Sequence, residues 1–258
     1  MTIITLTTDF GTADSYVGVM KGVILGIAPD VHLVDLSHEI AAQDVRGAGF
    51  VLSRAVPFFP DGTVHLAVID PGVGSRRRPL LITTSQASYV GPDNGLFTFA
   101  LEEASAEIFE LDRPEFWLPS VSSTFQGRDI FAPVAAHVAR GVPRHDLGRP
   151  IKDPIHLPHV MPQRHGDGHV TGNIIHLDRF GNLITDIPGG WMGDSRWCAE
   201  IAGQRISQFG ITYEDAAPGA LLALVSSAGT VEIAVRGGNA AARLGVGSGE
   251  RVTLWPEA

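Results

Sequence analysis

The feature that most constrains this chain is the rhythm of its first 85 residues. TIITLTT (2–8), VHLVDLS (31–37), TVHLAVID (63–70) and PLLITTS (79–85) are rich in β-branched residues and read as strands. Two helical stretches lie between the first three. One runs from about Tyr16 to Ile27, with Asp14 and Ser15 placed to cap it and Pro29 and Asp30 to stop it. The other starts after Asp44 and runs through Arg54 to Phe58. Strand, helix, strand, helix is the pattern of a mostly parallel, layered α/β sheet. The strand-like stretches end in polar residues: Asp9, Ser37–His38 and Asp70. In open α/β sheets ligands bind at those strand ends.

The texture changes at Arg149. RPIKDPIHLPHVMPQRHGDG (149–168) is rich in Pro and His and has no period, so it reads as a linker. The remainder is strand-like. HVTGNIIHLDRFGNLITDIP gives two strands around a turn at Arg179–Asn182. ALLALVSSAGTVEIAV gives two more around Ser227–Gly229, and RVTLWP is a last strand. The expectation is an α/β domain over residues 1–150, a linker over 151–168, and an all-β, barrel-like domain over 169–258.

Composition narrows the function classes. Of the 258 residues 44% are hydrophobic and 18% charged, enough for a sizeable core and unlike a disordered chain. A net charge of −9 argues against broad nucleic-acid binding, which needs a basic face. Cys198 is the only cysteine, so neither an internal disulfide nor a Cys-based zinc cluster can form. The opening MTIITLTTDF lacks the basic n-region and cleavage site of a signal peptide, and no apolar run is long enough to span a bilayer. A soluble, cytoplasmic protein is expected.

Several motifs carry possible chemistry, and each has a plainer reading. TTDFGTADS (7–15) is either a strand-to-helix turn with Asp14 as cap, or a sugar-diol site in which one carboxylate takes two hydroxyl hydrogen bonds. VIDPGVGSRRR (68–78) is either a tight turn with a solvated basic cluster, or a pairing of Asp70 with Arg77 that keeps the carboxylate ionised and oriented toward a water. GPDNGLF (91–97) and RFGNLITDI (179–187) alone indicate turns. The ten histidines include no HExxH, and no metal site is expected.

Taken together, TTDFG, DVRGAGFVL, VIDPGVGSRRR, GPDNGLF, TFQGRDIFAPVAA, DRFGNLITDI and ITYEDAAPGALLALVSSAGTVEIAV resemble one family from end to end, in order. This is the S-adenosyl-L-methionine (SAM) hydroxide adenosyltransferases, or adenosine-forming SAM hydrolases, relatives of the fluorinase and chlorinase enzymes. The resemblance implies an N-terminal α/β domain, a C-terminal β-barrel-like domain, and a homotrimer with SAM bound between subunits. It implies that Asp9 holds the ribose diol, Asp14 contacts the methionine amine and Phe125 lines the ribose pocket. Asn182, from the partner subunit, would contact the methionine or ribose region, and Tyr213 would stack on adenine. Arg236 and Ala240 would lie near the main chain that reads the adenine edge. Asp70 and Arg77 match two members of the family's Asp-Arg-His set around the attacking water. The third should be the His of TFHGRD, and here that position is Gln126.

The implied reaction is hydrolysis of SAM to adenosine and L-methionine, with neither metal nor redox cofactor. Halide-using relatives replace the Asp70 position with an uncharged residue, so the carboxylate here argues against halide transfer. Two other readings stay open: a SAM- or adenosine-binding protein without turnover, disabled by Gln126, and a metal-dependent phosphoesterase built on Asp9, His38, Asp70 and Asp93.

Overall fold

A computed structural model describes residues 2–158, 161–193 and 195–257. The chain forms two compact units, 1–157 and 158–258. His159 and Val160, within the stretch read as linker, lie outside the described residues.

The first unit is built on a seven-stranded sheet. Its strands are β1 (Ile3–Thr8), β2 (His32–Ser37), β3 (Thr63–Val68), β4 (Pro79–Thr83), β5 (Ala87–Pro92), β6 (Glu107–Glu110) and β7 (Arg149–Pro150), in the spatial order β2-β1-β3-β5-β4-β6-β7. Helices α1 (Tyr16–Ile27), α2 (Val45–Ala55), α3 (Thr98–Leu101), α4 (Ala132–Ala139) and α5 (Arg144–Leu147) complete it. Side chains alternate along β3. Val64, Leu66 and Val68 join Met20 and Ile24 of α1 and Val134 and Ala135 of α4 in one core. Ala67 and Ile69 join Ala48 and Leu52 of α2 in another. The sheet is thus apolar on both faces, as a layered α/β sheet requires.

The expected mostly parallel sheet is instead mixed. β1 pairs in parallel with β2 and β3, and β3 with β5. β4 pairs antiparallel with β5 and β6, and β6 with β7. The reason lies in connection length. A parallel neighbour needs a long crossover, whereas only Thr84–Gln86 separates β4 from β5. PLLITTSQASYV is therefore a hairpin. The parallel part reverses its strand order between β1 and β3, and this switch point is where the chain ends of those strands, at Asp9 and Asp70, emerge.

The second unit is a nearly closed, barrel-like sheet. It comprises β8 (Gln163–Arg164), β9 (Val170–Leu177), β10 (Leu183–Pro188), β11 (Trp197–Ile201), β12 (Gln204–Ile206), β13 (Phe209–Gly210), β14 (Leu221–Val225), β15 (Thr230–Val235) and β16 (Arg251–Pro256). The order is β12-β11-β16-β9-β10-β15-β14-β13, with β8 on β9. The sheet curls until β12 meets β14. Val170, Ile174, Leu183, Val231, Ile233, Val252 and Leu254 fill the interior. One short helix, α6 (Ala240–Leu244), follows β15, capped by the Asn239 side chain on Ala242 N. Among the described residues no helix is long and apolar enough to cross a membrane.

Candidate active site

Asp70 leaves β3 and enters a tight turn. Val73 N donates to Asp70 O at 3.2 Å and Ser75 N to Gly72 O at 3.1 Å. Gly74 sits at φ +77°, and a Cβ there would come within 2.4 Å of Ser123 O, so this position admits only glycine. The turn brings Arg77 back onto Asp70. Arg77 Nε donates to Asp70 Oδ1 at 3.0 Å, and Nη2 donates to Oδ2. The same Nη2 donates to Gln126 Oε1 at 2.6 Å, and the guanidinium lies over the Phe131 ring at 5.1 Å. The Asp70 and Arg77 side chains are only 5% and 6% exposed. A two-point ion pair in so dry a setting is held in one geometry.

The contact also fixes the Gln126 amide. A guanidinium only donates, so it must face the amide oxygen, and the Nε2 donor is turned away from Arg77. Nε2 has no hydrogen-bond partner among the described residues, and Gln126 is half-buried. Gln126 stands at the start of a π-helical turn, Gly127–Phe131, that leads into α4. Pro133, in the first turn of α4, has no N–H, so the Asp129 carbonyl lacks its helical donor and accepts from Leu118 N at 2.9 Å.

At the neighbouring strand end, Asp9 Oδ2 accepts from Gln43 N at 2.8 Å. Gln43 is held at φ +66°, a conformation few non-glycine residues adopt. Beside Asp9 in sequence, Phe10 packs edge-on with Tyr16 and Phe125, the three ring centroids 5.1–6.0 Å apart. Asp14 is exposed, and Ser15 directly precedes α1 with no side-chain cap, so the expected Asp14 cap does not form.

Below Asp9 runs a chain of contacts that sequence reading missed. Thr8 Oγ1 meets His38 Nδ1 at 2.9 Å, His38 Nε2 meets Asp35 Oδ1 at 3.0 Å, and Lys21 meets Asp35 Oδ2 at 2.6 Å. Burial acts to raise the Asp35 carboxyl, but hydrogen bonds from Lys21 and His38 outweigh it and hold Asp35 below the usual carboxylate range. His38 O also takes Gly11 N at 2.8 Å, which ties the loop after Asp9 to the end of β2. Asp93 is committed elsewhere, to Arg78 and to Ile155 N. Among the described residues no group of three His, Cys, Asp or Glu is placed to hold a metal ion.

The second unit carries its own cluster. Asn182 ends the β9–β10 turn and is buried. Its main-chain N–H donates to Asp178 Oδ1 at 2.8 Å and its Nδ2 to Asp178 Oδ2 at 2.9 Å. Tyr213 opens a 3-10 turn closed by a capping box of Thr212 and Asp215. Its hydroxyl donates to Glu232 Oε1 at 2.7 Å while the residue stays 44% exposed. Burial pushes Glu232 up, reinforced by the charge of Asp178 and opposed by the Tyr213 bond. Burial, then the bond to Glu232, pushes the Tyr213 hydroxyl above the usual tyrosine range. Arg236 spends its Nη1 on Ala216 O at 2.8 Å, its main-chain N–H on Ala220 O at 3.1 Å and its carbonyl on Gly219 N at 2.8 Å. Ala240 opens α6 with its side chain fully buried.

Each unit therefore assembles its own share of the sequence-derived residues: Asp70, Arg77 and Gln126 on one guanidinium in the first, Asn182 and Tyr213 on two carboxylates in the second. Asp178 and Glu232 were missed. The only signal for Glu232 was a charge inside an otherwise apolar strand, TVEIAV.

Comparison with known proteins gives one consistent answer. Residues 4–148 match the SAM hydroxide adenosyltransferase N-terminal domain, and residues 172–253 match the C-terminal domain of the same family. A protein of Salinispora arenicola named (R)-S-adenosyl-L-methionine hydrolase is 39% identical over 97% of both chains. One of the same name from Thermus thermophilus is 40% identical over 95% of this chain and 96% of its own. A crystal structure of an uncharacterized conserved protein from Thermotoga maritima superposes with a TM-score of 0.91 at 35% identity, over 98% of this chain and all of the other. With both of its units matched in order, the chain belongs to the SAM hydroxide adenosyltransferase family.

Proposed function

We propose that this chain is an enzyme that hydrolyses SAM to adenosine and L-methionine. The observation that carries the reading is the Asp70–Arg77–Gln126 constellation at the end of β3, in a chain about 40% identical to proteins named for this hydrolysis. Water oxygen attacks C5′ in line with the C5′–S bond. The bonding pair leaves on sulfur, which departs as the neutral thioether of methionine and needs no general acid. Water's proton passes to Asp70 and then to solvent. What the protein must supply is an oriented, partly dehydrated oxygen nucleophile. Asp70, clamped by Arg77, accepts from that water, and the Gln126 Nε2 donor orients it. No metal or redox group enters the balance.

Asp9 takes the ribose diol, beside the aromatic wall of Phe10, Tyr16 and Phe125, and Asp14 the methionine ammonium. Tyr213 stacks on adenine, Asn182 contacts the methionine or ribose region, and Ala240 and Arg236 border the adenine edge. A homotrimer, with these last residues donated by a neighbouring copy, completes the reading. Its support is the exposure of Phe180 (74%) and Ile211 (90%) beside Asn182 and Tyr213 in sequence. Cytoplasmic location fits the single, buried, unpaired cysteine, Cys198.

The test is an incubation with SAM in ¹⁸O-labelled water, followed by chromatography and mass spectrometry. Adenosine and methionine in equal amounts, with label in the 5′-hydroxyl, are expected. Tight SAM binding with no adenosine after hours overturns hydrolysis in favour of a binding protein, and a 5′-chloro product in chloride overturns it in favour of halide transfer.

A further inference from the structure

Glu232 is a carboxyl in an unusual place. It sits on β15, in register with Ile184 of β10 on one side and Leu224 of β14 on the other. Every residue of β15 is buried, and Glu232 itself is 3% exposed. Its face of the strand otherwise packs Ala234 with Ala216, Leu222 and Leu224. An aliphatic side chain of similar volume would suit that setting better, because burying a carboxyl costs solvation that a single neutral hydrogen bond does not restore.

Among the described residues the one side-chain hydrogen bond Glu232 makes is to the Tyr213 hydroxyl at 2.7 Å. That is a poor return for folding, since Tyr213 lies outside the sheet and is nearly half exposed. It is a good return for holding the ring. The backbone at Tyr213 is fixed by the Thr212–Asp215 capping box, and Arg236 pins the following residues through Glu214 and Ala216 O. Glu232 then fixes the far end of the side chain. A ring held at both ends with part of its surface open is a ready stacking platform, and its side-chain entropy is spent before the ligand arrives.

We propose that Glu232 is a positioning residue for substrate binding, anchoring the Tyr213 hydroxyl from within the sheet and so setting the plane on which adenine stacks. The inference rests on the reading of Tyr213 as the adenine-facing ring.

The experiment measures KM and kcat for SAM, the Kd for adenosine by calorimetry, and Tm, all on the full chain. Tyr213→Phe and Glu232→Leu should each raise KM and the adenosine Kd about three- to tenfold, the value of one ordinary hydrogen bond, with kcat near the parent's. Combined, they should be no worse than either alone, because they remove the same contact. Glu232→Gln keeps an acceptor for the hydroxyl and should stay near the parent. Tm of Glu232→Leu should equal or exceed the parent's, an outcome a merely structural glutamate does not give. Parent-like KM and Kd in Glu232→Leu, or losses that add to those of Tyr213→Phe, overturn the proposal. If Tyr213→Ala itself leaves the adenosine Kd unchanged, it is the assignment of Tyr213 that falls, and the role of Glu232 falls with it.

Discussion

The two units hold their candidate groups in opposite ways. In the first, Asp70, Arg77 and Gln126 converge on one buried guanidinium, and each is gripped by an element of the same unit. In the second, Tyr213 and Asn182 stand on turns, and their side chains are tied to the carboxylates of Glu232 and Asp178. The first arrangement suits bond making, where a displaced nucleophile costs rate. The second suits recognition, where a face must stay open to a ligand. The division predicts that changes in the first cluster act on kcat and changes in the second on KM.

The largest effect should come from Asp70. Asp70→Ala and Asp70→Asn remove the proton acceptor and should lower kcat by about 10²–10⁴, with the SAM Kd close to the parent's. Single-turnover assays at saturating SAM separate the two quantities. An Asp70→Asn enzyme turning over at the parent rate would refute proton acceptance here.

Asp9 blurs the division, because it lies in the first unit yet is assigned to binding. Its Oδ2 already accepts from Gln43 N, and the carboxylate still has lone pairs for two ribose hydroxyls. Each charge-assisted bond is worth about 1.5–3 kcal/mol, so Asp9→Ala should weaken SAM by about a hundredfold or more. Calorimetry on the Asp70→Asn background measures this without turnover, and an unchanged Kd removes Asp9 from the site.

The buried ionisable groups of the two units also differ, and here the contrast has a pH sign. His65, fully buried on β3, bonds Thr5 Oγ1 at 2.8 Å and stacks on Tyr89, and burial pushes its pKa down to about 4. Between about 6.5 and 4 the unfolded chain carries a proton that the folded chain does not, so His65 makes stability rise with pH there. The effect is fully developed by about pH 4 and amounts to roughly 3 kcal/mol at most. Glu232 has its carboxyl pushed up, so above the ordinary Glu range the folded state holds the extra proton, and its contribution falls as pH rises. Thermal unfolding from pH 7 to 4.5 should therefore show the first unit losing stability on acidification. His65→Phe should flatten that slope, and an unaltered slope excludes His65 as its source.

How much of this was legible in the sequence depended on range. The β-branched runs and their polar ends located β1, β2 and β3 and put Asp9 and Asp70 at strand ends, because period and turn chemistry are local. The seven-residue spacing of Asp70 and Arg77 across a Gly-rich turn is local too. Strand direction was not legible beyond β3, since it turns on the length of the connection, and PLLITTSQASYV gave no hint that three residues close a hairpin. Thr8, Asp35 and His38 meet only because β1 and β2 pair in parallel. Glu232 and Tyr213, 19 positions apart, meet only once the chain through β13 and β14 has folded back. Such pairs have no periodic signature.

A smaller effect on kcat than that of Asp70 falls on Gln126, where the resemblance to the family implies a histidine. The Arg77 guanidinium dictates that its neighbour present an acceptor, which Gln126 does with Oε1 at 2.6 Å, leaving Nε2 as a donor. A neutral histidine satisfies the same rule, accepting through one ring nitrogen and donating through the other. Gln126 thus reproduces the hydrogen-bond pattern of an uncharged imidazole without its ability to titrate. Gln126→Leu keeps the bulk but deletes both bonds, and should lower kcat about tenfold or more. Gln126→His should keep the activity near neutral pH and lose it on acidification. An imidazolium has no acceptor for Arg77 and is repelled by it, so the added acid limb should lie at or below the ordinary histidine value of about 6.5. The parent should lack that limb, and kcat measured from pH 5 to 9 on parent and variant reads the difference directly. Identical profiles, or a Gln126→Leu enzyme as fast as the parent, remove Gln126 from the water site. An inactive parent rescued by Gln126→His moves the natural protein from hydrolysis to SAM binding, and leaves Asp70 and Arg77 as a site waiting for its third member.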